Sequence, residues 1–189
     1  MINKIKITDL ASAESYSFGP LNDFDVWIST VDMADKRKIN RMKQNFDKKG
    51  IKLFAQFFYD WSDEDNLSWS HLAPEGPQKQ HVQNIITFLT PFVNDDIVHN
   101  LGINCFAGIS RSTAIAITAL VMSGKTIGEA LTHVLKIRPE AWPNLRILGF
   151  ASEILGKDIR TPIAKWKKDC VDCSDVFLMP DRKQPLNDE

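Results

Sequence analysis

One short segment of this chain combines a cysteine, an arginine and small residues at a spacing that could carry out phosphoryl chemistry. It reads CFAGISRS from Cys105 to Ser112, so that Arg111 follows Cys105 by six positions. Successive backbone N–H groups of such a loop can converge on an anion, and Gly108 permits the backbone conformation that this requires. A helix that starts after the loop would add the positive end of its dipole. A cysteine at the base of the loop would then be held as a thiolate, the activated nucleophile for phosphoryl transfer to sulfur.

The other residues of this loop have complementary expected roles. The planar guanidinium of Arg111 can hold two phosphoryl oxygens, and Ser112 can donate to the thiolate and ease its departure. The remaining residues would bind the phosphoryl group and are Phe106, Ala107, Gly108, Ile109 and Ser110. The alternative is a buried core cysteine beside a surface arginine, because a bare Cys-x5-Arg spacing also arises by chance. The apolar segment before the loop and the hydrophobic segment after it favour the anion-binding interpretation.

Cleavage of a phosphoester also needs a proton on the leaving oxygen, which a carboxylic acid on a mobile loop usually donates. Three aspartates in the segment 59–76 are candidates, namely Asp60, Asp63 and Asp65. We expect Asp60 to be the acid because it lies at the end of a predicted strand, and Asp63 is the second choice. A solvated acidic loop is the alternative interpretation of this segment. The chemistry implies no metal and no organic cofactor.

The elements that must position these residues can be read from the hydrophobic pattern. Short β-branched or apolar runs predict strands at 5–7, 26–31, 51–58 and 101–104. Helical spacing predicts helices at 34–49, 77–94, 113–123, 126–137 and 144–155, with Pro91 kinking or ending the second of them. The segment 12–20 reads as a loop or a short helix. This order predicts an α/β fold with a central, mostly parallel sheet flanked by helices.

Composition limits the number of domains and the class of partner. The 189 residues are 43% hydrophobic and 25% charged, which suits a single domain over 1–168 followed by a polar C-terminal tail over 169–189. A formal net charge of −1 leaves no broad basic field for nucleic acid or an anionic membrane. The amino end lacks the apolar core of a secretory signal, and the longest apolar run is too short to span a bilayer. We therefore expect a cytoplasmic protein with no nucleic-acid or membrane partner; its oligomeric state stays open.

The loop resembles that of the cysteine-dependent phosphatases of the protein-tyrosine and dual-specificity type, which reads Cys-x5-Arg-Ser/Thr. Further segments are similar to a bacterial group of small tyrosine phosphatase-like proteins: the aromatic-x-Asp segment at 58–60, the Ala-Pro and His-Val pairs at 73–74 and 81–82, and the Pro-Asn segment at 138–144. The resemblance implies a dual-specificity-phosphatase-like fold, a cysteinyl-phosphate intermediate and a phosphorylated protein or peptide substrate. It also implies Asp60 as the general acid.

Other features keep alternatives open. Many relatives have a histidine before the nucleophile, where this chain has Asn104, and that departure is compatible with a module that binds phosphate without turnover. Cys170 and Cys173 form a Cys-x-x-Cys pair but lack the second ligand pair that structural zinc requires. A third possibility is a thiol-dependent arsenate reductase, because arsenate reductases of the low-molecular-weight phosphatase type combine a Cys-x5-Arg loop with further cysteines. In those enzymes the loop lies near the amino end, whereas about a hundred residues precede it in this chain. The loop contains no lysine for a multiply phosphorylated inositol, which favours phosphotyrosine, or phosphoserine and phosphothreonine in a shallow cleft.

Overall fold

The protein is built on one parallel sheet that brings the carboxyl ends of its strands to a common edge. The computed structural model describes residues 2–20, 23–61, 76–94 and 97–172. Its strands are β1 (Ile2–Thr8), β2 (Val26–Val31), β3 (Lys52–Phe57) and β4 (His99–Asn104), arranged in the order β1-β4-β2-β3 with every neighbouring pair parallel. The predicted α/β class with a central parallel sheet is therefore confirmed.

Helices cover both faces of this sheet. They are α1 (Leu10–Phe18), α2 (Lys36–Lys48), α3 (Lys79–Asn94), α4 (Arg111–Met122), α5 (Ile127–Ile137), α6 (Leu145–Leu155) and α7 (Arg160–Asp172), with a 3-10 turn at Met33–Asp35 before α2. α1 and α2 enclose a smaller core around Trp27 and Phe46, whereas α3 to α7 enclose a larger core that contains Ile103 and Ile115. None of the helices in the described residues is long and apolar enough to cross a membrane.

The register of the central strands places the end of β4 in the middle of the sheet edge. Thr8 of β1 and Ser29 of β2 both lie opposite Asn104, the last residue of β4. All six residues of β2 are buried, as is expected for a strand covered on both faces. Because Cys105 directly follows β4, the chain leaves the sheet at the place where ligands bind in open parallel sheets.

Several element boundaries differ from the sequence-based expectation. Most of the segment 12–20, for which the sequence allowed either a loop or a short helix, belongs to helix α1. The N-cap of α1 is Asp9. α3 continues past Pro91 to Asn94, so the proline does not end the helix. α4 begins at Arg111 rather than at position 113. α7 was not predicted because its segment is mostly polar and its apolar stripe is too narrow to indicate a helix.

The boundary predicted at 168 falls inside α7, which continues to Asp172. The rest of the predicted tail, 173–189, lies outside the described residues, and so do Asp63, Asp65, Cys173 and the Ala-Pro pair at 73–74.

Candidate active site

The loop between β4 and α4 places the cysteine sulfur among hydrogen-bond donors. Cys105 is 1% exposed, and its Sγ accepts a hydrogen bond from the backbone N–H of Gly108 at 3.1 Å. The hydroxyl Oγ of Ser112, in the first turn of α4, lies 3.2 Å from the same sulfur. Backbone amides and a helix N-terminus both favour negative charge, so this loop suits an anionic ligand.

The carbonyl groups of the loop are held from outside, which determines where its amides point. The backbone N–H of Leu10 donates to the carbonyl of Phe106, and Arg138 Nη2 donates to the carbonyl of Ala107. Two further backbone N–H groups, those of residues 142 and 144, donate to the carbonyls of Ile109 and Ser110. In a trans peptide the N–H points opposite to the C=O, and the described residues contain no cis peptide. The amides that follow these carbonyls therefore face the interior of the loop, as a site for an anion requires.

Gly108 allows the loop to pack directly against the junction of β1 and α1. Its φ is +74°, in the left-handed region. A Cβ at this position would lie 2.7 Å from the carbonyl carbon of Thr8 and 2.8 Å from the amide nitrogen of Asp9. Only glycine combines this backbone conformation with so close an approach.

Arg111 is the buried cation of the site. It is 2% exposed, and its Nη1 donates to the carboxylate oxygen Oδ1 of Asp32 at 2.8 Å and to the carbonyl of Phe58. Its Nε has no hydrogen-bond partner among the described residues and lies 3.6 Å from Oδ2 of Asp60, too far for a hydrogen bond. The guanidinium is thus anchored through one nitrogen and keeps another donor unsatisfied.

The structure brings Asp60 to the same loop. Its Oδ1 accepts hydrogen bonds from the hydroxyl of Ser110 at 2.7 Å and from Nδ2 of Asn144 at 2.9 Å. Together with the 3.6 Å approach to Arg111, these contacts place its carboxylate at the edge of the loop. Asp60, which lies 50 positions before Ser110 in the chain, therefore joins Cys105, Arg111 and Ser112 around one site.

Two site residues were missed by the sequence-based interpretation. Asp32 directly follows β2, and an acidic residue at the carboxyl end of a buried strand is a signal that could have identified it. Asn144 was noted only as part of a segment leading into a helix; it is the N-cap of α6 and also contacts Asp60. Nothing local in the sequence indicates the second contact.

Asn104 occupies the position before the cysteine with its side chain fully buried. Its Oδ1 accepts a hydrogen bond from Nε1 of Trp27 at 2.8 Å, and its Nδ2 lies 3.5 Å from the carbonyl oxygen of Cys105. Trp27 lies directly over Gly102, where a Cβ would approach the indole to 2.1 Å. The asparagine therefore has a fixed orientation beneath the loop.

A carboxylate on the outer side of the loop is stabilised in its ionised form. Asp9 accepts hydrogen bonds from the backbone N–H and the hydroxyl of Ser12, at 2.8 and 2.7 Å. Burial by itself raises the pKa of Asp9, but these hydrogen bonds, with the charge of Arg138, bring the pKa below its ordinary value. Asp9 and Arg138 both border the loop, since Arg138 donates to the carbonyl of Ala107.

Comparison with solved structures identifies the fold. The chain is similar to Tk-PTP in its active form, with a TM-score of 0.53 and 17% identity over 80% of this chain and 90% of that one. It is also similar to human DUSP28, with a TM-score of 0.52 and 15% identity over 85% of this chain and 94% of the other. No family model matches the chain, and neither does any curated protein. The protein thus has the fold of the protein-tyrosine and dual-specificity phosphatases, while the resemblance to a bacterial group stays a prediction.

Proposed function

We propose that this protein is a cysteine-dependent phosphatase that hydrolyses phosphoesters through a cysteinyl-phosphate intermediate. The observation that carries the proposal is Nε of Arg111, a charged donor with no hydrogen-bond partner among the described residues, although the residue is only 2% exposed and lies beside the loop whose Gly108 amide donates to the sulfur of Cys105. A buried N–H donor that makes no hydrogen bond is costly, even in a guanidinium whose charge is paired, unless a ligand supplies the acceptor. A phosphoryl group has the charge and the oxygen geometry to do so.

In the first step, the sulfur of Cys105 attacks phosphorus in line with the leaving oxygen. The S–P bond forms as the P–O bond breaks, and the proton of Asp60 passes to the departing alcohol or phenol oxygen. The guanidinium of Arg111 and the inward-facing loop amides hold the equatorial phosphoryl oxygens, where charge is redistributed in the transition state.

In the second step, water attacks phosphorus and the S–P bond breaks. Asp60, now a carboxylate, accepts the proton from water, and inorganic phosphate is released. The hydroxyl of Ser112, 3.2 Å from the sulfur, can donate to the departing thiolate and stabilise it as a leaving group. The nucleophile is thereby restored for another turnover.

The substrate that suits this loop is a singly phosphorylated residue of a protein or peptide. The residues between Cys105 and Arg111 include no lysine that could bind additional phosphates. Phe106 is 59% exposed and offers an aromatic surface next to the phosphoryl site. Aromatic rings pack favourably on one another, which favours phosphotyrosine over an aliphatic phosphoester.

The test is the hydrolysis of para-nitrophenyl phosphate with EDTA present, comparing wild type with Cys105→Ser. A matched control is Cys170→Ser, which removes the other described cysteine without touching the loop. We expect turnover in wild type and in Cys170→Ser and none in Cys105→Ser, with vanadate binding retained in the last. Turnover that persists in Cys105→Ser would contradict the proposal. Binding of vanadate without any turnover in wild type would indicate a phosphate-binding module instead.

A further inference from the structure

The side chain of Asn144 joins three parts of the site. Its Oδ1 accepts hydrogen bonds from the backbone N–H groups of Arg146 and Ile147, both at 3.1 Å, and so caps α6. Its Nδ2 donates to Oδ1 of Asp60 and to the carbonyl of Trp61, both at 2.9 Å. The residue is 1% exposed, and all four hydrogen-bonding positions of its amide are occupied.

The cap determines which way this amide faces. If the amide were rotated by half a turn, its NH₂ group would meet the two backbone N–H groups at the start of α6, and four donors would oppose one another. The NH₂ group must therefore point toward Asp60 and Trp61. A helix cap thus fixes a donor on the carboxylate that we propose as the general acid.

The two oxygens of Asp60 have different surroundings as a result. Oδ1 accepts from both Ser110 and Asn144, which occupies its two lone-pair positions. Oδ2 accepts no hydrogen bond from the described residues and lies 3.6 Å from Nε of Arg111, on the side where the phosphoryl group would bind. A proton placed on Oδ1 would displace a hydrogen bond, whereas one placed on Oδ2 would not.

We propose that Asn144 is a positioning residue for the acid–base step, holding Asp60 so that Oδ2 carries the transferred proton toward the leaving oxygen. This inference rests on the proposed phosphatase function. The backbone N–H of Asn144 also donates to the carbonyl of Ser110, at 3.3 Å. Asp60, the phosphate-binding loop and the start of α6 are therefore held in fixed positions relative to one another. The rate of proton transfer depends steeply on such alignment.

The test uses Asn144→Asp, which keeps an oxygen acceptor for the α6 cap but removes both amide donors. Its kcat/KM, which reports the first chemical step and not the hydrolysis of the cysteinyl phosphate, is compared on phenyl phosphate and para-nitrophenyl phosphate, because phenoxide needs protonation far more than nitrophenoxide. We expect kcat/KM to fall by about 10²-fold on phenyl phosphate and by less than about 10-fold on para-nitrophenyl phosphate. Asp60→Asn should show the same selective loss. The double variant should lose little more kcat/KM than Asp60→Asn alone, since both changes act on the same carboxyl group.

Thr126→Ala is the matched control, because Thr126 caps α5 in the same way and is not part of the site. It should lower the free energy of unfolding by about 1 kcal/mol and leave the ratio of the two kcat/KM values unchanged. An equal loss on both substrates in Asn144→Asp, or additive losses in the double variant, would overturn the inference while leaving the phosphatase proposal intact. Absence of Cys105-dependent turnover in wild type would instead refute the phosphatase proposal itself.

Discussion

Replacing Gly108 by alanine tests whether the phosphate-binding loop depends on its contact with the end of β1. The residue has a φ of +74°, and an added Cβ would meet three backbone atoms of Thr8 and Asp9 at 2.7 to 2.8 Å. These are main-chain atoms of a strand end and a helix cap, so they cannot move aside as a flexible side chain would. The loop itself must shift.

The expected cost has two parts. A left-handed conformation costs a non-glycine residue about 1–2 kcal/mol, and overpacking a well-packed site typically costs about 1–3 kcal/mol. We therefore expect Gly108→Ala to lower the free energy of unfolding by about 2–5 kcal/mol. The N–H of Gly108 donates to Sγ of Cys105, so displacement of the loop should also lower kcat/KM by about 10²-fold or more.

Gly50→Ala is the control that separates these two parts. Gly50 has the same φ of +74°, but an added Cβ there would meet no atom of the described residues within 4 Å. It should lose only the backbone part, about 1–2 kcal/mol, and retain full kcat/KM. Denaturant unfolding gives the free energies, and para-nitrophenyl phosphate hydrolysis gives the rates. Equal destabilisation of the two variants, or normal turnover in Gly108→Ala, would refute the proposed role of this contact.

Three further outcomes follow from the contacts around the loop. Asp32→Ala should lower kcat/KM by about 10²-fold because Arg111 loses the acceptor that orients it, and Asp32→Asn, which can still accept, should restore most of the rate. Trp27→Phe leaves the buried Oδ1 of Asn104 without its donor, so a loss of about 1–3 kcal/mol in unfolding free energy is expected, whereas an unchanged value would exclude a structural role for this hydrogen bond. The pKa of Asp9 is lowered from its ordinary 3.8, so its carboxylate stabilises the fold above that pH and the contribution disappears as the pH falls through the lower, folded value. Asp9→Asn should therefore be less stable than wild type near neutral pH, with a difference in urea-unfolding free energy that vanishes in strong acid; a difference independent of pH would contradict this.

Local patterns were sufficient to predict much of the framework. The range 26–31 matches β2, and helical spacing over 34–49 predicted α2, whose buried residues are Ile39, Met42 and Phe46. The loop from Cys105 to Arg111 was identifiable because its chemistry is contiguous in the chain. Such features depend on backbone propensity and on the period of side chains along one element, and both are present in the sequence itself.

The partners of the site residues depended on the tertiary structure. Asp32 and Arg111 are 79 positions apart, Trp27 and Asn104 are 77 apart, and Asp60 and Asn144 are 84 apart. These pairs meet because the strand order β1-β4-β2-β3 places β4 beside β2, and because α6 packs with its first turn against the loop. The sequence by itself determined which residues could do the chemistry and which elements carry them. The tertiary structure alone decided which oxygen of Asp60 faces Arg111, because that choice results from packing between segments that share no local pattern.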